Sequence, residues 1–272
     1  MFRGNDQDMV DLCKEFEKQA RRVWLLLKKA QSIGYQPKEE TITDLNIIEL
    51  RKRCSRQVIT HEFTRHQVAK TGSDWEWWFT ADGTRWIGFR VQAKILHLKT
   101  NQFRQLHYRD QLSTLIENAE RSKPRLIPIY CFYIFEKPSG RERKPLSDSY
   151  GCSILLAHQA EADLEKRQSL KATKSSLLQP WHHLCAVCMQ VLQKESGDDQ
   201  QGNDTDTQSS ADELSVLGNH IVDQGFLPGY VMALLPQKVT QYSSLDSQPT
   251  RVRRSSRSRP NIVTVFSQTP LK

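Results

Sequence analysis

Two runs decide the fold: Asp74-Trp75-Glu76-Trp77-Trp78-Phe79-Thr80 and, after a short polar turn, Trp86-Ile87-Gly88-Phe89-Arg90-Val91-Gln92-Ala93-Lys94-Ile95. Side chains alternate faces along a strand. In the second run Ile87, Phe89, Val91, Ala93 and Ile95 share one face, and Arg90, Gln92 and Lys94 share the other. In the first, Trp75, Trp77 and Phe79 oppose Asp74 and Glu76, with Trp78 the exception on the polar side. The two apolar faces must coincide in a hairpin, because a one-residue slip would bury the acids and expose the aromatics. A three-residue loop Asp82-Gly83-Thr84, with Gly83 in the left-handed position, satisfies that parity. The register then sets Trp77 opposite Phe89, Phe79 opposite Ile87, Glu76 opposite Arg90 and Asp74 opposite Gln92, with Lys94 just beyond.

Asp74, Gln92 and Lys94 therefore converge at one end of a sheet face. A hard divalent cation takes oxygen ligands, here the Asp74 carboxylate, the Gln92 side-chain carbonyl and the backbone carbonyl of Ala93. Such an ion polarises a phosphodiester and acidifies water, while a lysine beside it offsets developing negative charge. One acid holds an ion poorly, and the preceding helix offers Glu40 at its start and Glu49 on the edge of its apolar stripe. The alternative is a solvated polar face with ordinary cross-strand pairs, and for Glu76 an ion pair with Arg90 is the simpler expectation.

Outward from the hairpin, residues 6–31 carry Met9, Leu12, Cys13, Phe16, Ala20, Val23, Trp24 and Leu27 at helical spacing, ended by Gly34 and Pro37. A second helix is predicted from about Lys38 to Arg53 with Ile42, Leu45 and Ile48 on one side, then a short strand over 58–64. Helical spacing returns over 105–121 and stops at Pro124. Leu126-Ile127-Pro128-Ile129-Tyr130-Cys131-Phe132-Tyr133-Ile134-Phe135 reads as a central strand covered on both faces. A short element begins at Cys152, a helix lies over 181–193, and residues 226–236 read as a last strand or turn packed back on the sheet. Helix, helix, three strands, helix, strand is an α/β or α+β order around one mixed sheet.

The chain has 272 residues, a net charge of +8 and six cysteines. No apolar run approaches the roughly 18 residues of a membrane span. The polar start of the chain, without a secretory pattern, leads us to expect a cytoplasmic protein with reduced, buried thiols. Residues 1–194 carry 32 bases against 22 acids, a balance compatible with a polyanionic partner and also with evenly spread charge. We divide the chain into an N-terminal helix (1–37), a core (38–194), an acidic flexible insertion (195–214), a segment returning to the core (215–240) and a basic, disordered tail (241–272). The Cys185-x-x-Cys188 pair beside His182 and His183 lacks a second ligand pair nearby, so core packing is favoured over zinc. Neither a phosphate-binding glycine loop nor a Gly-x-Ser-x-Gly elbow is present, which gives no support to a P-loop ATPase, a kinase or an α/β-hydrolase.

An acid separated by 17 residues from Gln92-Ala93-Lys94 on a core strand, behind a helix bearing glutamate, resembles the PD-(D/E)xK nuclease superfamily in its Gln-x-Lys, Mrr-like branch. The stretch from Lys70 to Phe79 followed by Val91 to Lys94 also resembles an uncharacterised bacterial family thought to belong to that superfamily. The resemblance spans residues 38 to 135. It implies a restriction-endonuclease-like sheet and a Mg2+- or Mn2+-dependent endonuclease acting on DNA, in restriction or phage defence, with a homodimer for double-strand cutting. Asp74 would be the motif acid, Gln92 the substitute for the second acid, Lys94 the catalytic lysine and Glu40 the helix glutamate, with Glu49 as fallback. Asp74, Gln92 and Glu40 would hold the metal. Gln111, heading the next helix, stands where some such proteins place a polar residue, although an exposed helix glutamine is the favoured explanation. The uncharged Gln92 departs from the commoner acid and also fits an inactive module that binds nucleic acid or a protein partner.

Overall fold

The computed structural model describes residues 11–100, 102–103, 110–135, 151–164, 178–194 and 217–236. Helices α1 (Leu12–Ser32) and α2 (Glu39–Cys54) lead into β1 (Val58–Glu62), α3 (Arg65–Thr71), β2 (Trp75–Thr80) and β3 (Arg85–His97). Then follow β4 (Gln102–Phe103), α4 (Gln111–Arg121), β5 (Ile127–Tyr133), β6 (Cys152–Leu156) and α5 (Ala157–Leu164). The described chain ends with β7 (Gln179–Pro180), α6 (Trp181–Lys194), β8 (Ile221–Asp223), a 3-10 turn (Gln224–Phe226) and α7 (Gly229–Met232).

The strands form one mixed sheet in the order β1-β2-β3-β5-β6-β7, with β4 and β8 also pairing with β3. The hairpin has the register expected from parity: Trp77 faces Phe89, Phe79 faces Ile87 and Glu76 faces Arg90. Gly83 takes φ +81° in its turn, where a side chain would be strained. β3 and β5 run parallel, joined through α4, and β5 is buried along its whole length as a central strand requires. The fold is thus the expected α/β mixed sheet with flanking helices.

On one sheet face Ile87, Phe89, Val91 and Ala93 join a core closed by α1, α2 and α6. Phe16 of α1 sits among Trp77, Phe79 and Trp181, with ring centroids 4.9–5.7 Å away, and Trp181 Nε1 donates to the Phe16 carbonyl at 2.6 Å. Cys185 and Cys188 are fully buried in this core, and all six cysteines are free thiols. The opposite face is covered as well. Leu96, Leu115, Ile116, Tyr130 and Phe132 form one cluster under α4, and Trp78, Trp86, Leu126, Leu227 and Val231 form another. Trp78 on the polar side is thereby explained: α4 and the C-terminal segment cover it.

Several expectations need correction. Leu45 and Ile48 of α2 are exposed, and the buried stripe is Ile42, Thr43, Asn46, Ile47, Leu50 and Cys54. The polar members of that stripe have partners beneath the helix: Thr43 Oγ1 bonds Tyr133 Oη at 2.9 Å and Asn46 Nδ2 donates to Cys152 Sγ at 4.0 Å. Residues 226–236 contain the short helix α7, and the strand precedes them at β8, where Gln224 N–H donates to the Thr84 carbonyl. The first strand stops at Glu62 because Thr64 begins α3 with a reciprocal capping box with Gln67. Helix α4 starts at Gln111, later than expected. The acidic insertion 195–214 and the basic tail 241–272 lie outside the described residues. Among the described residues no helix is long and apolar enough to cross a membrane.

Candidate functional site

β3 outlasts its neighbour. The last pair with β2 is Trp75 with Val91, and Asp74 N–H donates to the Val91 carbonyl at 2.8 Å. Beyond that point β2 no longer accepts from β3, and the buried backbone donors left there must find other partners. Side chains supply them. Asp74 Oδ2 accepts from Ala93 N–H at 2.8 Å, Glu39 Oε2 accepts from Ile95 N–H at 2.7 Å, and Gln36 Oε1 accepts from Leu98 N–H at 2.8 Å. Two carboxylates thus line the edge where strand pairing stops.

Local structure fixes Asp74. Gly72 caps α3 at φ +69°, and a Cβ there would stand 2.6 Å from Leu115 N and 2.7 Å from the Gln111 carbonyl of α4. That close approach sets the Ser73–Asp74 link against the start of α4, the helix that carries Gln111.

Gln92, Gln111 and Lys94 form a chain of side-chain bonds beside Asp74. Gln92 Nε2 donates to Asp74 Oδ2 at 2.6 Å and to the Ala93 carbonyl at 3.0 Å. Gln111 Nε2 donates to Gln92 Oε1 at 2.7 Å, and Lys94 Nζ donates to Gln111 Oε1 at 3.0 Å. Gln92 is 2% exposed and Lys94 7%, so neither is a solvated surface group. Gln111 is half-buried and is integral to the arrangement.

The helix acids divide. Glu39, the first residue of α2, is the one bonded to β3; Glu40 is exposed, and its charge reaches both Asp74 and Glu39. Glu49 is elsewhere, paired with Arg22 at 3.3 Å and Arg53 at 3.0 Å. Glu39 was missed because the helix start and the resemblance pointed to its neighbour Glu40, and the stripe of Leu45 and Ile48, which is exposed, pointed to Glu49. The buried phase through Thr43, Ile47 and Leu50 points to Glu39. Tyr130 was missed as well. It is the parallel partner of Gln92 on β5 and is fully buried, and its hydroxyl has no hydrogen-bond partner among the described residues. Burial first, and then the charge of Asp74, push its pKa up.

Burial dominates the electrostatics of the carboxylates. It pushes Glu39 up to about 7, against the lowering effect of Lys94, with the Asp74 charge adding to the rise. It pushes Asp74 up to about 6, opposed by the Ala93 N–H and by Lys94. The ionised forms are thus short of positive charge, the condition under which a bound cation is favourable.

Among the described residues no three His, Cys, Asp or Glu side chains are grouped to hold a metal. An oxygen-ligand ion would rely on an amide and a backbone carbonyl to supplement the acids. The residues fit that demand in one respect: Gln92 Nε2 lies against both Asp74 Oδ2 and the Ala93 carbonyl, so turning the amide brings Oε1 to the same two oxygens.

Two residues along the same face, Arg90 Nε lies 2.8 Å from Glu76 Oε1, close enough for an ion pair but off the line of a directed hydrogen bond. Glu76 Oε2 accepts from Trp78 Nε1 at 3.2 Å and Tyr230 Oη at 2.8 Å. The Arg90 guanidinium packs over the Phe63 ring, 5.1 Å from its centroid. The simple ion-pair expectation for Glu76 is met.

None of the curated proteins matches the chain. Over residues 12–271 it matches DUF6615, a family of unknown function, and the chain belongs to that family.

Proposed function

We propose that the chain is a divalent-cation-dependent endonuclease that hydrolyses DNA phosphodiester bonds, acting in restriction or phage defence. The observation that carries this reading is the contact of Gln92 with both Asp74 Oδ2 and the Ala93 carbonyl, with Lys94 joined to Gln92 through Gln111. Asp74, the Ala93 carbonyl and Gln92 Oε1 would hold Mg2+ or Mn2+, with Glu39 or Glu40 as the further acid. When bound, the ion supplies a Lewis acid that polarises the phosphodiester and acidifies water. Lys94 orients the attacking water and donates to the phosphate oxygen on which charge develops. Glu39 keeps the edge of β3 in place through Ile95 N–H and draws the cation by its charge. The excess of bases over residues 1–194 attracts the DNA backbone. Cutting both strands calls for two such sites, hence a homodimer.

The test is cleavage of plasmid DNA with Mg2+ or Mn2+ by the full chain. Cleavage abolished by Asp74→Ala and by Lys94→Ala supports the reading, and undiminished cleavage in both variants rejects it. A second reading, an inactive module that binds nucleic acid or a protein partner, draws on the same contact: Gln92 Nε2 already satisfies the oxygens a cation would use. Salt-sensitive DNA binding without cleavage in either ion would favour it.

A further inference from the structure

The bonds linking Asp74 to Lys94 have a direction set at both ends. Asp74 Oδ2 and the Ala93 carbonyl can only accept, so Gln92 turns its NH2 toward them and its oxygen toward Gln111. A charged Lys94 can only donate, so Gln111 turns its oxygen toward Lys94 and its NH2 toward Gln92. Each amide is thus satisfied in one orientation, and neither can turn alone without setting donor against donor and acceptor against acceptor.

We propose that Gln92 and Gln111 act as a two-amide relay that frees Lys94 when a divalent cation is seated at Asp74 and the Ala93 carbonyl. This rests on the site read above and assigns Gln111 as a positioning residue acting through Lys94. A cation at those oxygens requires Gln92 to present Oε1 in place of Nε2. Gln92 Nε2 then faces Gln111, which must turn to accept it. Gln111 Nε2 then faces Lys94 Nζ, donor against donor, and the ammonium leaves for the nearest acceptor, a substrate phosphate when one is present. The lysine is held back until the cation site is filled.

The relay makes a prediction that a merely supporting glutamine does not. Seating the cation in the wild type breaks the bond from Lys94 to Gln111. Gln111→Leu removes that bond beforehand without changing any charge, so Mg2+ alone, titrated calorimetrically into the full chain, should bind about tenfold tighter, the order of one charge-assisted hydrogen bond. In Gln92→Glu the carboxylate offers one oxygen to the cation and the other to Gln111 Nε2, so no amide has to turn. Gln111→Leu should then leave Mg2+ affinity within about twofold, a non-additivity that reads the relay directly. As a second readout, the Lys94 ammonium nitrogen resonance, assigned by its absence in Lys94→Met, should shift on adding Mg2+ to the wild type. In Gln111→Leu it should already be displaced before the ion is added. Thermal melts confirm that each variant is folded. Equal or weaker Mg2+ binding in folded Gln111→Leu, or an unmoved Lys94 resonance in Mg2+-saturated wild type, overturns the relay while leaving the nuclease reading intact. Absence of both Mg2+ and Mn2+ binding to the wild type overturns both.

Discussion

Asp74 Oδ2 and Gln92 Nε2 lie 2.6 Å apart, and the same carboxylate oxygen also accepts from Ala93 N–H at 2.8 Å, so one aspartate both ends a strand pairing and faces a candidate ion site. The two roles separate by substitution. Asp74→Asn keeps an oxygen for both donors and removes a charge that burial disfavours, so its melting temperature should match the wild type at pH 4 and be no lower at pH 7.5, while DNA cleavage is lost. Asp74→Ala orphans the Ala93 N–H and takes one of two acceptors from Gln92 Nε2, which keeps the Ala93 carbonyl. Leaving a buried donor unsatisfied costs roughly 1–3 kcal/mol, so urea unfolding should show a loss of that order. If Asp74→Asn cleaves DNA normally, the carboxylate has only the structural role.

The raised carboxyls give the stability of the ion-free protein a definite pH dependence. Glu39 is pushed from 4.5 up to about 7 and Asp74 from 3.8 up to about 6, so the native state holds protons that the unfolded chain has released. Stability therefore falls as pH rises from about 4 through 7, with the penalty absent below the unfolded values and complete above the native ones. Glu39→Gln retains an acceptor for Ile95 N–H without the buried charge. It should be more stable than the wild type at pH 8, by up to about 3 kcal/mol on the linkage scale, and equal to it at pH 4. Mg2+ must displace the same protons, so its apparent affinity should rise between pH 5.5 and 7.5 with measurable proton release in calorimetry. A pH-independent difference between Glu39→Gln and the wild type would contradict the assignment.

The sequence made the hairpin legible because alternation on two strands leaves only one parity. Glu76–Arg90, Trp77–Phe89 and Phe79–Ile87 therefore followed without any tertiary information. The site was only partly legible. The facing of Asp74 and Gln92 comes from the register, but β3 extending past β2, which gives Asp74 and Glu39 their backbone donors, depends on where pairing ends. In α2 the apolar Leu45 and Ile48 are exposed while Thr43 and Asn46 are buried, since Tyr133 and Cys152 lie beneath them. The hydrophobic phase therefore singled out Glu49, and the start of the helix Glu40, whereas the acid bonded to β3 is Glu39. Tyr130 reached the site through a parallel pairing of β3 and β5 that has no local signal.

Lys94 should matter to the chemical step far more than to binding. Its ammonium is buried and bonded to Gln111, and the relay delivers it to the phosphate once the cation is seated, so it acts in the chemical step and adds little to holding the DNA. Lys94→Met keeps the apolar stem and removes the charge. Single-turnover cleavage under Mg2+ should fall by at least about a hundredfold, the usual loss when one transition-state donor is removed. DNA affinity in Ca2+ should change by no more than a few fold. An equal loss in both measurements would make Lys94 a phosphate-binding residue only.

The pair Glu76–Arg90 occupies the same face as the site, and its partners assign it to stability. Glu76 is 0% exposed and Arg90 11%, and Glu76 still holds Trp78 Nε1 and Tyr230 Oη if Arg90 is removed. Arg90 Nη1 is buried without a hydrogen-bond partner, so Arg90 depends on the Glu76 charge. The two single substitutions should therefore be unequal. Glu76→Gln strands a buried cation and should cost about 3–5 kcal/mol in urea unfolding, while Arg90→Met should cost less. The double variant should be less destabilised than the sum of the singles, because it removes the stranded charge. With its guanidinium turned to Glu76 and Phe63, Arg90 is not offered to a phosphate, so Arg90→Met should cleave DNA at the wild-type rate at any temperature where it is folded. Loss of cleavage in the folded variant would instead extend the site one residue pair along β3.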